Sequence, residues 1–113
     1  MSAGCIFCRI VAGEIPAKKV LEDDELLAFH DIAPWAPVHL LVIPKEHVAS
    51  LAEVDERHER LLGRILALAP KLMRDHGVTN GFRVVVNTGP DGGQEVPHLH
   101  VHVMGGPRPW AKG

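Results

Sequence analysis

The segment "VPHLHVHVM", Val96–Met104, sets His98, His100 and His102 at alternate positions among Leu99, Val101 and Val103. Side chains on a strand point alternately to its two faces. The spacing therefore predicts imidazoles on one face, roughly 6–7 Å apart along the strand, and aliphatic residues on the other. The aliphatic face belongs against a core; the histidine face belongs against a site, a partner or water. Working outward, "GPDGG" at 89–93 reads as a turn and "FRVVVNT" at 82–88 as a strand, which makes a hairpin with a last strand over 95–104. Pro97 removes an N–H donor there, which an edge or a bulge tolerates.

Before the hairpin, residues 56–76 carry Leu61, Leu62, Ile65, Leu68, Leu72 and Met73 on one helical face. Pro70 should kink or split that helix, and Gly77 should cap its end. Ser50 and Glu53 fit a capping box for a short helix, and Asp55 can cap the next. "HLLVIP", 39–44, reads as a nearly continuous apolar strand, and "APWAPVH" before it as a loop. "AKKVLEDDELLAFHDI" reads as a hairpin, with strands at about 18–22 and 26–31 around an acidic turn. "CIFCRIVA", 5–12, reads as a short apolar helix or turn. The order describes an α+β domain with a mainly antiparallel sheet, exposed edges and one poorly covered face. Dimerisation would bury both.

With 113 residues, 46% of them hydrophobic, the chain suits one globular domain. A formal net charge of −2 argues against a general nucleic-acid or anionic-membrane binder, so any phosphate must be held by a local site. No run reaches the length of a membrane span and no secretory signal is visible. Cys5 and Cys8 form a single CxxC, either a metal half-site or a redox pair in a reducing compartment. A redox role needs the motif at a helix start after a strand, and no strand precedes it. The expected location is cytoplasmic.

The histidine row admits three readings. It can be a solvated polar face that happens to use histidine. It can supply ligands to a catalytic zinc, although the third imidazole reaches too far along a straight strand to share one ion with the other two. Or it can work on a phosphate. Neutral imidazole is a good nucleophile near neutral pH, and its neighbours can donate hydrogen bonds to charged oxygens or to a leaving group. Gly92 and Gly93, just upstream, would let backbone N–H groups converge on an anion, although for the turn taken alone an ordinary hairpin is the better reading.

"GGQEVPHLHVHVMGG" resembles the signature of the histidine triad (HIT) superfamily. "FHDIAPWAPVHLLVIPKEH" and "CIFCRIVAGEIPAKKVLEDDELLAF" resemble the remaining motif blocks of its nucleotide-binding branch. The similarity spans nearly the whole chain and implies one domain over 1–113. It implies a five-stranded antiparallel sheet with one long helix and a short N-terminal helix, continued across a homodimer. The implied activity is hydrolysis of purine nucleoside phosphoramidates through a nucleotidyl-histidine, without a catalytic metal or other cofactor. A nucleotide-sensing module with incidental turnover is the alternative.

The resemblance makes His100 the nucleophile, His102 a contact to phosphate or leaving group, and His39 part of the proton network. It gives Asp31 the ribose hydroxyls, for which the plain reading is a turn residue. It gives Asn87 a phosphate or leaving-group contact, and Gly93, Gln94 and Glu95 the phosphate turn. Phe7, Phe29 and Ile32 would wall the base pocket. Glu95 stands where some members carry a small hydroxyl residue, and its charge should weaken phosphate binding or tune the leaving group. Some members pair the CxxC with two histidines, here His47 and His98, as a structural zinc site; the plain reading is two reduced thiols. His58 and His76 read as helix-surface residues and His30 as packing.

Overall fold

The computed structural model describes residues 4–111; the expected domain limits, 1 and 113, lie outside them. In order the elements are α1 (Ile6–Val11), β1 (Lys19–Glu22), β2 (Leu26–His30), β3 (Val38–Pro44), two 3-10 turns (Leu51–Glu53 and Glu56–His58), α2 (Glu59–Asp75), β4 (Phe82–Val85) and β5 (Val101–Gly105). The strands form one antiparallel sheet in the order β1-β2-β3-β5-β4. Among the described residues no helix is long and apolar enough to cross a membrane.

The apolar run of β3 is explained by burial on both sides. One face of the sheet, Leu26, Ala28, Leu40, Val42, Val101 and Val103, packs on Ile65, Ala69, Leu72 and Met73 of α2. The other, Leu27, Phe29, Leu41 and Ile43, packs on Cys5, Phe7 and Ile10 from the start of the chain. The expectation of a poorly covered face is corrected here: six residues of α1 close it over β2 and β3. The sheet is left open at β4, where Phe82 and Val84 are exposed.

α2 is one helix despite Pro70. Pro70 removes the bond to the carbonyl of Leu66, and Leu66 faces solvent at 55% exposure, so water can satisfy that carbonyl. The helix therefore does not split. It ends in a Schellman motif: the Gly77 N–H donates to the Arg74 carbonyl, the Val78 N–H to the Met73 carbonyl, and Gly77 takes φ +79°. Asp23 accepts from the Glu25 and Leu26 amides, and its carboxylate pairs with Arg64 of α2. The acidic turn thus ties the first hairpin to the helix.

Ser50 caps only a single 3-10 turn. The reciprocal capping box is made by Asp55 and His58, whose Nδ1 accepts the Asp55 N–H at 3.1 Å. His58 is buried, not a surface residue as expected.

The last strand is the main departure. The regular ladder begins at Val101, not at residue 95. Pro97 cannot donate, the His98 N–H turns back to the Val96 carbonyl at 2.8 Å, and the Leu99 N–H reaches the Val48 carbonyl at 2.7 Å. Of the alternating histidines only His102 lies in β5, opposite Leu41 and Val85. β4 is likewise shorter than 82–88.

Candidate active site

The break before β5 divides the histidines among three tasks. His98 turns towards the chain start, His102 towards β3, and His100 stays between them. All three are buried, at 0%, 6% and 8% exposure for His98, His100 and His102.

Local hydrogen bonds fix where each neutral ring carries its proton. The Trp35 N–H donates to His39 Nδ1 at 3.0 Å, so the His39 proton sits on Nε2. That proton faces His102 Nδ1 at 2.9 Å, which leaves the His102 proton on Nε2. His100 Nδ1–H donates to the His98 carbonyl at 2.7 Å, so the His100 lone pair is on Nε2. His98 Nε2–H donates to the Pro44 carbonyl at 2.8 Å, so its lone pair is on Nδ1. The central imidazole thus presents a lone pair, and its neighbour His102 presents an N–H, with ring centroids 5.0 Å apart.

Burial pushes His102 down to about 4 and also lowers His39 and His98 from the ordinary imidazole range. For His39, Asp31 opposes that shift without cancelling it. These rings are therefore neutral at neutral pH, as the hydrogen-bond chain requires. Below about pH 6.5 the unfolded chain binds protons that the folded His102 refuses until about pH 4, so stability falls across that window as pH drops and is constant above it. The loss attributable to His102 is roughly 3 kcal/mol at most. Urea midpoints from pH 7.5 to pH 4 should show a shallower fall in His102→Gln than in the parent; parallel curves would contradict it.

Phe7 packs edge-on against His100, with centroids 5.1 Å apart, and Trp35 stacks on His102 at 5.9 Å with rings 17° from parallel. Trp35 was not singled out in the sequence. It anchors His39 through its amide and His102 through its ring, and only its place in the loop before His39 hints at this.

Asp31 Oδ1 accepts the Ala33 N–H at 2.8 Å, the turn role of the plain reading, while Oδ2 lies 3.5 Å from His39 Nε2. Asp31 also lines a cleft of about 790 Å³ together with Ile10, Lys18, Phe29, Ile32 and Pro34. Phe29 and Ile32 both line this cleft, and Ile32 is fully exposed. Phe7 is not among the lining residues; it lies behind Phe29, at 5.6 Å between centroids.

The Gly-rich turn is closed on itself. The Gly93 and Gln94 amides donate to the Pro90 and Gly89 carbonyls, so the Gly93 amide of the expected Gly92–Gly93 nest is already engaged within the turn. Asn87 Nδ2 donates to the Gly92 carbonyl at 2.8 Å. The Gln94 side chain accepts the Gly89 N–H and donates to the Ala49 and Val96 carbonyls. Glu95 is exposed. A Cβ at Gly92 would lie 2.2 Å from the Thr88 carbonyl oxygen, so only glycine permits this closure.

Cys5, Cys8, His47 and His98 bring their ligand atoms within 4.8 Å of one another. Cys5 Sγ and Cys8 Sγ lie 3.3 and 3.4 Å from His98 Nδ1, Cys8 Sγ lies 3.1 Å from His47 Nδ1, and the two Nδ1 atoms are 3.2 Å apart. Tetrahedral zinc has Zn–S of about 2.3 Å and Zn–N of about 2.0–2.1 Å, which implies edges of about 3.3 Å for N···N and about 3.6 Å for S···N. The cluster fits. The fixed His98 tautomer adds the supporting bond such ligands have. Four protein donors leave no open position, so zinc held here would cross-link the chain start to the strand and would not activate water. Asp31, His39 and His102 form a second group within 4.8 Å, and His100 belongs to neither. The alternating histidines do not converge on one ion.

The HIT domain family model matches residues 12–108. The chain is 48% identical over 103 residues to the "Adenylylsulfatase HINT1" of Arabidopsis thaliana, covering 89% of this chain and 70% of that protein. It is 48% identical over 103 residues to the "14 kDa zinc-binding protein" of Brassica juncea, covering 89% and 91%. The crystal structure of a HIT family hydrolase from Legionella pneumophila superposes with a TM-score of 0.89 at 48% identity, covering 92% of this chain and 94% of that one. On the fold, the histidine arrangement and these matches, the chain belongs to the HIT domain family.

Proposed function

We propose that this protein hydrolyses purine nucleoside 5′-phosphoramidates through a covalent nucleotidyl intermediate on His100. One observation carries the reading: the hydrogen-bond chain leaves a lone pair on His100 Nε2 next to an N–H on His102 Nε2. That is a nucleophile beside a donor, held without any proton having to move first. A relative named an adenylylsulfatase and a neighbour named a hydrolase support hydrolysis with an adenylyl group as the transferred unit.

The nucleoside occupies the cleft of Asp31, Phe29 and Ile32, where the Asp31 carboxylate accepts hydrogen bonds from the ribose diol. Contact runs from Asp31 to His39 to His102 to His100, so a nucleoside anchored at Asp31 brings its phosphate to the imidazoles. His100 Nε2 attacks the α-phosphorus, the phosphorus–nitrogen bond breaks, and the amine leaves with a proton from solvent. His102 Nε2–H hydrogen-bonds the phosphoryl group throughout. Water then attacks the same phosphorus and gives up a proton to solvent, the phosphorus–Nε2 bond breaks, and its electron pair returns to His100. In this reading Asn87, Gly93, Gln94 and Glu95 shape the phosphate end through the closed turn. No step runs through the Cys2His2 cluster, which is assigned to structural zinc.

The domain spans the whole chain and works as a homodimer. The exposed Phe82 and Val84 on edge strand β4 support this, since pairing of two β4 edges would cover them and continue the sheet. Analytical ultracentrifugation should give twice the chain mass, and Val84→Lys should give the monomer; a monomeric parent would refute the assignment. Activity is tested by steady-state release of ammonia from adenosine and guanosine 5′-phosphoramidates. Turnover supports the reading. Tight nucleotide binding with negligible turnover on both would favour the sensing module instead.

A further inference from the structure

The chain formed by His39 and His102 can run in two directions. Each neutral ring carries one proton. In one direction His39 Nε2–H donates to His102 Nδ1 across the 2.9 Å gap, and His102 keeps its proton on Nε2. In the other, His102 Nδ1–H donates to His39 Nε2, and the His39 proton sits on Nδ1. His102 Nε2 then turns a lone pair towards the charged phosphoryl oxygens. The heavy atoms occupy the same places in both, so the choice falls to the groups at the far end of the chain.

Trp35 occupies that end. Its backbone N–H donates to His39 Nδ1 at 3.0 Å, and a donor aimed at that nitrogen excludes a second proton there. His39 is buried, so water cannot take the place of the amide. Asp31 Oδ2, 3.5 Å from His39 Nε2, favours the same direction. The ribose hydroxyls assigned to Asp31 compete for that carboxylate once a nucleoside binds, whereas the Trp35 amide stays engaged. The rest of Trp35 keeps the amide in place. Its indole stacks on His102 at 5.9 Å and meets His39 edge-on at 5.9 Å. Its carbonyl accepts the Ala111 N–H at 2.8 Å. Pro34 and Pro37, on either side, narrow the backbone of the loop.

We propose that Trp35 is a positioning residue whose backbone N–H sets the direction of the His39–His102 proton chain, so that His102 meets the phosphoryl group as a donor. The proposal rests on the reading of His102 as the phosphoryl contact. Trp35 touches no substrate and moves no proton; it acts through His39. The lone pair of His100 is set separately, by the His98 carbonyl, so a reversed chain would cost the donor and spare the nucleophile. Every residue except proline carries the N–H that this task needs. The role therefore leaves no side-chain signature at position 35.

The test begins on the unaltered full-length protein, labelled with heavy nitrogen. NMR shifts of the ring nitrogens distinguish protonated from bare positions. Expected are bare Nδ1 and protonated Nε2 on both His39 and His102; a protonated Nδ1 on either ring would overturn the proposal with no variant needed. Replacing Trp35 by its α-hydroxy analogue then turns the amide into an ester and deletes only the N–H. The ester oxygen repels the bare Nδ1 of His39, and His102 should lose its protonated Nε2 signature. The ester protein should lose about 10–100-fold in kcat on adenosine 5′-phosphoramidate. Its circular dichroism should match the parent and its affinity for adenosine, which has no phosphoryl group, should stay within about threefold. Trp35→Phe keeps the amide and a ring, and should keep the ring signature and kcat within about threefold of the parent. An ester protein with the parent's signature and rate would overturn the proposal, as would Trp35→Phe losing as much kcat as the ester. If the ester protein does not fold, the parent's ring shifts and Trp35→Phe decide. Should the parent show no turnover, the phosphoramidase reading fails by itself, and the ring shifts of parent and ester decide the role of Trp35.

Discussion

His100→Ala is expected to lower kcat on adenosine 5′-phosphoramidate by about 10³-fold or more while the chain stays folded and binds nucleotide within about threefold of the parent. The asymmetry follows from the geometry. The ribose and base contacts assigned to Asp31, Phe29 and Ile32 do not involve His100. The ring contributes a lone pair and packing against Phe7, and only the lone pair forms the bond to phosphorus. A His102→Ala variant should lose less, about 10–100-fold, because it removes a hydrogen-bond donor and leaves the nucleophile in place. Steady-state kinetics with nucleotide titration separate the two. Equal losses would mean that His100 does not act covalently.

Removing the metal cluster is the second large effect, and it falls on stability. The purified protein is expected to hold about one zinc per chain by atomic emission, with His47→Ala reducing this strongly. His47 is the exposed ligand, so truncating it opens no hole in the core, whereas Cys5→Ala adds a cavity beside Phe7 and Ile10. Loss of zinc should lower stability by at least about 3 kcal/mol, because the cross-link between α1 and the segment before β5 is then left to four weak contacts among thiols and imidazoles. Turnover by the stripped, folded protein should stay within about tenfold of the parent, since neither His100 nor His102 belongs to the Cys5, Cys8, His47 and His98 cluster. Activity lost before the fold would indicate a catalytic metal.

Where local chemistry decides, the sequence was legible. The apolar run 39–44 reads as a strand, although the cover on its second face does not, and Gly77 reads as a helix end because little else takes its φ. The grouping of Cys5 and Cys8 with His47 and His98 came from family resemblance, and the structure brings those four together. What could not be read was decided by tertiary contacts. A strand from residue 95 is expected because the three histidines alternate with Leu99, Val101 and Val103, yet the backbone turns at His98 to reach Val96 and Val48. His58 reads as a polar helix residue, but its ring is buried because it answers the Asp55 amide. Trp35 lies in a proline loop that has no periodicity to mark it. For the glycine turn the sequence leaves an anion nest and an ordinary hairpin both open, because composition does not reveal which amides its own carbonyls already occupy.

The most direct measurement is acid-free quenching of the enzyme during turnover of adenosine 5′-phosphoramidate, followed by peptide mass spectrometry. The account predicts one adenylyl group on the peptide spanning His100, localised to that ring, appearing in the first turnover and vanishing once substrate is exhausted. Sustained hydrolysis with no adduct, or an adduct on any other residue, would contradict it.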